Sequence, residues 1–444
     1  MKDIASAAAA VLPPGPTWPA AVQSAAWGLR PVALYDWCAR RYGTPFTIRM
    51  VGGDGMVHFS DPDAIREIFA LSAADFSAGA MSRDVLEPFL GLNSILVLDG
   101  DRHHDERRIV VRAFHADSFA VHERTIEECT RSSMTTWPQG QPFTIHEHMQ
   151  AITLEVILRA LFGIDDHDEL IALLVPLRTF LSLGGSLTIL VPQLRELPIV
   201  RRKWERFKAL HEEIDTAILG HIHRRRAEPH LDTHTDILSA LVGATDESGE
   251  PLADEVVRDH LLTLLLAGHD TTATALAWAF DLLAHHGAIA DRLANELRAG
   301  DDTYLDAVIK EVLRLRPVIA EVGRMLTRPC TVAGHTYPAG VALSANVHLA
   351  HHRPDAYPQP EVFRPERFLD GAPDVHAWLP FGGGIRRCLG VAFATLELRT
   401  VLRTVIPELT ITPARTQLER PRRRAVTLIP RHGAPITIHP RRPT

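Results

Sequence analysis

The stretch Phe381-Gly382-Gly383-Gly384-Ile385-Arg386-Arg387-Cys388-Leu389-Gly390 constrains this chain more than any other. Three consecutive glycines open backbone conformations closed to other residues and let the chain approach a flat ligand closely. The apolar residues that follow (Val391, Ala392, Phe393, Ala394, Leu396, Leu398) carry a helical pattern. Cys388 therefore falls near a helix start, where unpaired N–H groups stabilise an anion. Arg386 and Arg387 add positive charge and favour a thiolate. Two arrangements satisfy these residues. One is a packing cysteine buried behind a glycine turn. The other is a thiolate beside a close backbone, holding a soft metal such as haem iron.

The remaining cysteines, Cys38, Cys129 and Cys330, lie far from one another, and no Cys-x-x-Cys occurs. This disfavours zinc and iron–sulfur clusters. So few cysteines in 444 residues form no disulfide scaffold and point to a reducing cytosol. The formal net charge of −7 supplies no global basic field, so nucleic acid is not an expected partner. Arginine clusters near 102–112, 201–206, 224–226 and 420–424 read as solvated helix faces or loops. By length the chain suggests roughly two to four domains. Its alanine-rich start, residues 4–12, is far below the roughly 20 residues that span a bilayer. Asp3 stands where a signal peptide would carry positive charge. Residues 1–16, ending in Pro13-Pro14-Gly15-Pro16, are expected to be a flexible leader and proline hinge. The expected protein is cytoplasmic, with no transmembrane anchor.

Along the chain, residues 31–43 show a helical face. Residues 46–50 and 56–60 read as a hairpin around Gly52-Gly53-Asp54-Gly55, and Asp61-Pro62 opens a helix. Residues 77–99 are apolar without one clean period, as core under a loop would be. His103 and Arg107, four apart, share a helix face; a solvated, charge-laced helix satisfies the same segment. Helical patterns over 152–161, 170–183 and 204–223 surround an apolar loop with Leu187, Ile189, Leu190 and Val191, and 226–236 is a polar connector. The long apolar helix pattern over 257–283 contains Ala267-Gly268-His269-Asp270-Thr271-Thr272. Glycine and polar groups inside such a helix cost stability unless they have a use. Threonine hydroxyls bonded back to helix carbonyls account for part of it; Asp270 asks for more. Glu311 and Arg314 can pair on a helix stopped by Pro317, a pair that contributes little if exposed.

Four of these stretches, in this order along the chain, resemble the cytochrome P450 family. Phe381, Gly384, Arg386, Cys388 and Gly390 match its haem signature Phe-x-x-Gly-x-Arg-x-Cys-x-Gly. The resemblance implies that Cys388 is the axial thiolate of haem b (iron protoporphyrin IX), that Arg386 binds a propionate, and that Phe381 lies against the ligand loop. His103 and Arg107 match a His-x-x-x-Arg pair that binds the propionates. Arg324 occupies the place of a further propionate-binding arginine, with Trp378 nearby. The segment at 267–272 matches the oxygen-activation motif: Thr271 would hydrogen-bond the oxygen being activated, Asp270 would relay protons, and the helix would open locally. Glu311, Arg314 and Arg367 match a structural triad that brackets the ligand loop.

The implied fold is mainly α with a small β region. It is the triangular helical prism of the family, a single catalytic domain over 17–444, with haem between the oxygen-activation and cysteine-ligand helices. The implied activity is monooxygenation: dioxygen, with two electrons from a separate ferredoxin or flavodoxin, hydroxylates or epoxidises an apolar substrate such as a fatty acid, terpenoid or steroid. A monomer is expected. A peroxide-driven enzyme and a haem sensor are the alternatives; Asp270-Thr271 argues against the first. Against the second argue Thr271, the apolar segment at 77–99, which matches the family's roof over the substrate pocket, and the helix–loop–helix over 170–223, which resembles its mobile lid. Arg102, Arg108, Arg112 and Arg387 are the expected docking cations. The resemblance draws the substrate pocket from Leu86, Phe89, Leu90, Ile95, Leu266, Ala267, Ile319, Glu321 and Val322. Glu321 is the unusual member, because a carboxylate in a dry pocket must be paired or protonated. It either points away to meet an arginine or water, or faces the pocket and bonds a substrate hydroxyl or amine.

Overall fold

The computed structural model describes residues 12–114, 119–164, 166–184, 197–371 and 374–441. The apolar loop expected at 187–191 and most of the leader lie outside them. Helices predominate: α1 Ala20–Leu29, α2 Pro31–Tyr42, α3 Pro62–Ala70, α4 Gly79–Leu90, α5 Gly100–Ala113, α6 Phe119–Met134, α7 Ile145–Phe162, α8 His167–Gly184, α9 Pro198–Arg226, α10 Ile237–Val242, α11 Asp254–His285, α12 Gly287–Arg298, α13 Thr303–Leu315, α14 Val347–His351 and α15 Val391–Val405. The strands are short: β1 Phe46–Ile48, β2 Met56–Phe59, β3 Phe76–Ser77, β4 Phe143–Thr144, β5 Glu321–Leu326, β6 Cys330–Val332, β7 His335–Tyr337, β8 Ala342–Asn346, β9 Leu409–Pro413, β10 Pro421–Arg424, β11 Thr427–Pro430 and β12 Pro435–Pro440.

Two compact units emerge, each assembled from separated stretches of chain. The smaller unit comprises 1–81, 319–362 and 371–388; the larger comprises 82–318, 363–370 and 389–444. The smaller unit holds the sheet β1-β2-β8-β5-β3, in which β2 and β8 run parallel and the other pairs antiparallel. Its core joins sheet residues Val57, Phe59, Leu326 and Leu343 to Ile65, Ile68 and Phe69 of α3. Burying such a side chain contributes about 1.5–3 kcal/mol. The Asp-Pro signal is borne out: the Asp61 carboxylate caps α3 by accepting from the N–H groups of Asp63 and Ala64.

The larger unit is built on α11, 32 residues long, which is buried over 259–265 and 272–284 and only partly so over 266–271 between them. Gly268 lets α11 approach α7, since a Cβ there would lie 3.3 Å from Ile157 Cδ1. The Trp278 indole N–H donates to Leu428 O at 2.8 Å and ties α11 to β11. Two expectations change here. Residues 77–99 are not only loop core, because Gly79–Leu90 is helical; Met81, Val85, Leu86, Phe89 and Leu90 keep helical spacing, but Pro88 among them is a helix breaker and the apolar residues that follow over 92–98 blur the period. The local opening expected in the oxygen-activation segment is also absent: α11 runs as one α-helix from Asp254 to His285. No helix among the described residues is long and apolar enough to cross a membrane.

Candidate functional site

In the smaller unit, the loop before Cys388 is set by glycine geometry. Gly382 and Gly384 have φ of +65° and +64°, a region where side chains are strained. Gly383 is extended, at φ −161°. A Cβ on Gly383 would lie 2.2 Å from the Phe69 ring, and one on Gly384 would lie 2.4 Å from the Phe69 carbonyl oxygen. The loop therefore rests directly on the end of α3. The Cys388 N–H donates to Phe381 O at 3.0 Å and closes it. Cys388 is exposed, whereas Cys38, Cys129 and Cys330 are buried as packing residues. Burial pushes the Cys38 thiol up to about 12, far from thiolate chemistry. Cys388 stands two residues before Gly390, the N-cap of α15.

Arg324 on β5 lies beside this loop. It is only 4% exposed, and donates to Gly323 O at 2.9 Å and to Gly383 O at 3.1 Å. Its guanidinium sits 4.8 Å from the Phe76 ring centroid and 5.7 Å from that of Phe69. Burial and the nearby Arg386 charge pull its pKa down to about 10. Among the described residues Arg324 makes no ion pair. A buried cation held by carbonyls and rings, with a second guanidinium nearby, is suited to an anionic group. An exposed cysteine on a close-packed glycine backbone is suited to a flat iron ligand. Together this donor set fits haem with its propionates.

Glu321, three residues earlier on β5, is half-buried. Its Oε1 accepts from the Trp27 indole N–H of α1 at 3.1 Å. Ile319 and Val322 are half-buried near it in sequence.

In the larger unit, α11 divides the motif at 267–272 among its faces. Ala267 is exposed, and Leu266 and Thr271 are half-buried. The Thr271 hydroxyl donates to Ala267 O at 2.7 Å, and that of Thr272 to Gly268 O at 3.0 Å. These bonds return each hydroxyl to its own turn, a pattern that favours bending, yet α11 is helical through the motif where an opening was expected. His269 is buried against Thr153 of α7, whose hydroxyl lies 3.0 Å from its Nδ1, and burial pushes its pKa down to about 4. Asp270 faces β10 and β11. Its Oδ1 accepts from Gln150 Nε2 at 2.8 Å and pairs with Arg424 Nη1 at 3.5 Å, while Thr427 Oγ1 lies 3.4 Å from Oδ2. Burial works against the Asp270 charge, yet the Arg424 guanidinium and the Gln150 bond outweigh it and hold the carboxyl below its usual range.

His103 is buried on the first turn of α5, and Arg107 follows one turn on, half-buried, as the helical spacing requires. Arg102, Arg108 and Arg112 are exposed on the same helix, and Arg387 is exposed on the cysteine loop. Glu311, Arg314 and Arg367 come together. Arg314 Nε and Nη2 donate to the Glu311 carboxylate at 2.6 and 2.8 Å, and Arg367 Nε donates to its Oε1 at 3.1 Å. The Glu311 and Arg314 side chains are wholly buried, so the pair differs from an exposed one of little effect. Of the pocket candidates in this unit, Leu86, Leu266 and Ala267 keep exposed surface, while Phe89, Leu90 and Ile95 are buried. The Phe89 ring packs against Phe180 and Phe207, with centroids 6.1 and 4.7 Å away.

Three features escape the sequence reading. Arg424 belongs to the cluster read as solvated, yet pairs with Asp270. Gln150 carries no motif. Glu397 on α15 is 1% exposed; burial pushes it well above the usual carboxylate range, against a hydrogen bond with Thr272. A lone carboxylate in the apolar pattern after Cys388 was the available signal.

Residues 13–436 match the family model described as Cytochrome P450. A Mycobacterium tuberculosis protein named cytochrome P450 135B1 is 40% identical over 435 residues, covering 96% of this chain and 91% of its own. Another from the same organism, cytochrome P450 137, is 36% identical over 404 residues, covering 91% and 84%. Among solved structures, a cyanobacterial CYP120A1 with retinoic acid bound superposes with a TM-score of 0.83 at 24% identity, covering 97% of this chain and 100% of that one. The haem domain of cytochrome P450DA gives 0.83 at 21%, covering 97% and 98%.

Proposed function

The chain belongs to the cytochrome P450 family of haem-thiolate monooxygenases, and from that premise we propose that Cys388 is the thiolate ligand of haem b and that the enzyme hydroxylates or epoxidises an apolar substrate. The observation that carries this reading is the exposed Cys388 at the end of a glycine loop, with Arg324 beside that loop. Haem held by a thiolate supplies the activation of dioxygen, in which one oxygen atom enters the substrate and the other leaves as water, with two electrons and two protons taken up.

The chain's own residues have separate tasks. Arg324 and Arg386, in the smaller unit, would hold a haem propionate, and His103 and Arg107, in the larger, carry a propionate-binding role by their match to the family's His-x-x-x-Arg pair. Gly383 and Gly384 keep side chains off the loop and so allow close backbone approach. Thr271 holds a proton on its hydroxyl, at present donated to Ala267 O, and Asp270 replenishes it. Glu311 with Arg314 and Arg367 is structural. Leu266, Ala267, Leu86, Ile319 and Val322 offer apolar surface to a fatty acid, terpenoid or steroid. Electrons come from a separate ferredoxin or flavodoxin in the cytoplasm, drawn by Arg102, Arg108, Arg112 and Arg387; such charges mainly speed encounter and are screened by salt.

The test is a spectral screen of the haem-loaded enzyme with those three substrate classes, followed by turnover with a ferredoxin system or with peroxide. Substrate-induced spectral shifts and product from the ferredoxin system are expected. Product from peroxide alone would make it a peroxygenase. No product from either, with haem bound, would make it a sensor.

A further inference from the structure

Asp270 does not stand alone on α11: it is clasped from two sides. Gln150 reaches it from α7, and Arg424 and Thr427 reach it from the two strands of the β10–β11 hairpin. The Thr427 hydroxyl also donates to Arg424 O at 2.9 Å, so the hairpin braces its own arginine. The hairpin is in turn fixed to α11 through Trp278 and Leu428. Arg424 is three-quarters buried and among the described residues pairs with no other acid, whereas Arg422, two residues earlier, is exposed. A guanidinium drawn in to a single carboxylate is a specific arrangement rather than a solvated face.

We propose that Arg424 is the positioning residue of Asp270: with Gln150 it turns the carboxylate toward the hairpin and fixes its charge, and thereby sets when Asp270 can take up a proton for Thr271. The inference rests on the role given to Asp270 above. The proton enters as Asp270 binds one from solvent, and leaves as Asp270 passes it to the Thr271 hydroxyl, which gives up its own; the net change at the pair is nil. The charged and titratable groups around Asp270 are few. His146 and Gln150 come from α7, and His269 is its neighbour on α11. Arg424 comes from β10, and Arg422 and Arg178 bear on the two histidines. Burial lowers the proton affinity of both histidines and favours their neutral forms, which leaves Arg424 as the fixed positive charge at the carboxylate.

The test follows the Asp270 proton directly. Infrared titration of the holoenzyme should show a protonated-carboxyl band at neutral pH in R424Q and R424M, absent from wild type and R424K, and abolished in R424Q/D270N. Two charge-removing variants are used so that a folding failure in one leaves the other. Product formed per reduced cofactor consumed should fall several-fold in R424Q and R424M, recover in R424K, and show its acid limb at higher pH. Absence of the band in both charge-removing variants overturns the proposal. A band with unchanged coupling, while D270N still uncouples, overturns the control assigned to Arg424 and leaves Asp270 in its role. Unchanged coupling in D270N itself removes the role of Asp270, and with it this inference.

Discussion

The loop before Cys388 and the turn of α11 at Asp270 both manage charge, and they do so in opposite ways. The loop is built from backbone: three glycines, a rigid neighbour in Phe69, and a buried cation, Arg324, held only by carbonyls and rings. The α11 turn is built from side chains, with a carboxylate that already has a cation, an amide and a hydroxyl around it. The first arrangement is suited to receiving an external anion and a metal. The second is suited to governing a proton that moves within the protein. A cation lacking a partner points outward to a ligand; a fully paired acid points inward to a relay.

Replacing the sulfur breaks the comparison at its strongest point. Cys388→Ser should abolish the long-wavelength Soret band of the ferrous–CO complex, which reports the sulfur ligand, and should leave no turnover. A surviving band would show that another residue binds the iron. Next in size is Glu311→Gln, which leaves two buried guanidiniums without their carboxylate; a loss of about 3–5 kcal/mol is expected in chemical denaturation. A loss below about 1 kcal/mol would mean that the triad is no more than a surface pair.

The glycine loop gives a sharper contrast. Gly384→Ala should cost about 1–3 kcal/mol through its positive φ and reduce haem retention, and Phe69→Ala should not rescue it, because the clash is with the Phe69 backbone. Gly383→Ala meets only the Phe69 ring, from an extended backbone, so Phe69→Ala should restore haem binding there. Equal rescue of both variants would refute the geometric account.

On α11, Thr271→Ala should change stability by less than about 1 kcal/mol, since the hydroxyl serves only its own helix turn. It should divert reduced cofactor to peroxide in place of product. Unchanged coupling would reduce Thr271 to a helix residue. The smallest effect is expected at Glu397. Folding raises its pKa above the ordinary 4.5, so the folded state keeps a proton that the unfolded chain releases, and stability falls as pH rises above that value. Glu397→Gln should flatten this slope, with variant and wild type most alike in acid. Parallel stability–pH curves would show that Glu397 is ionised in the fold.

Much of this was legible before any coordinates. A signature such as that around Cys388 is local, because glycine conformations, a helix start and a reactive thiol all depend on near neighbours. The Asp61-Pro62 start of α3, the His103–Arg107 spacing and the length of α11 are local in the same sense, and the structure agrees with each. The helix at Gly79–Leu90 is harder to see, because Pro88 is a helix breaker and the apolar run over 92–98 follows without the same period.

By itself the sequence determined the family, the mainly helical fold and the residue types available for chemistry, because these rest on periodicity and on motifs a few residues long. Only the tertiary structure decided which charges meet. Arg424 lies 154 residues from Asp270, and Trp27 lies 294 from Glu321. In the sequence an arginine run such as 420–424 looks uniformly solvated, since nothing nearby distinguishes one arginine from the next. Folding separates them: Arg422 stays exposed, while Arg424, on the same face of β10 but at its end beside the hairpin turn, is partly buried against a carboxylate, where low dielectric makes the pairing count.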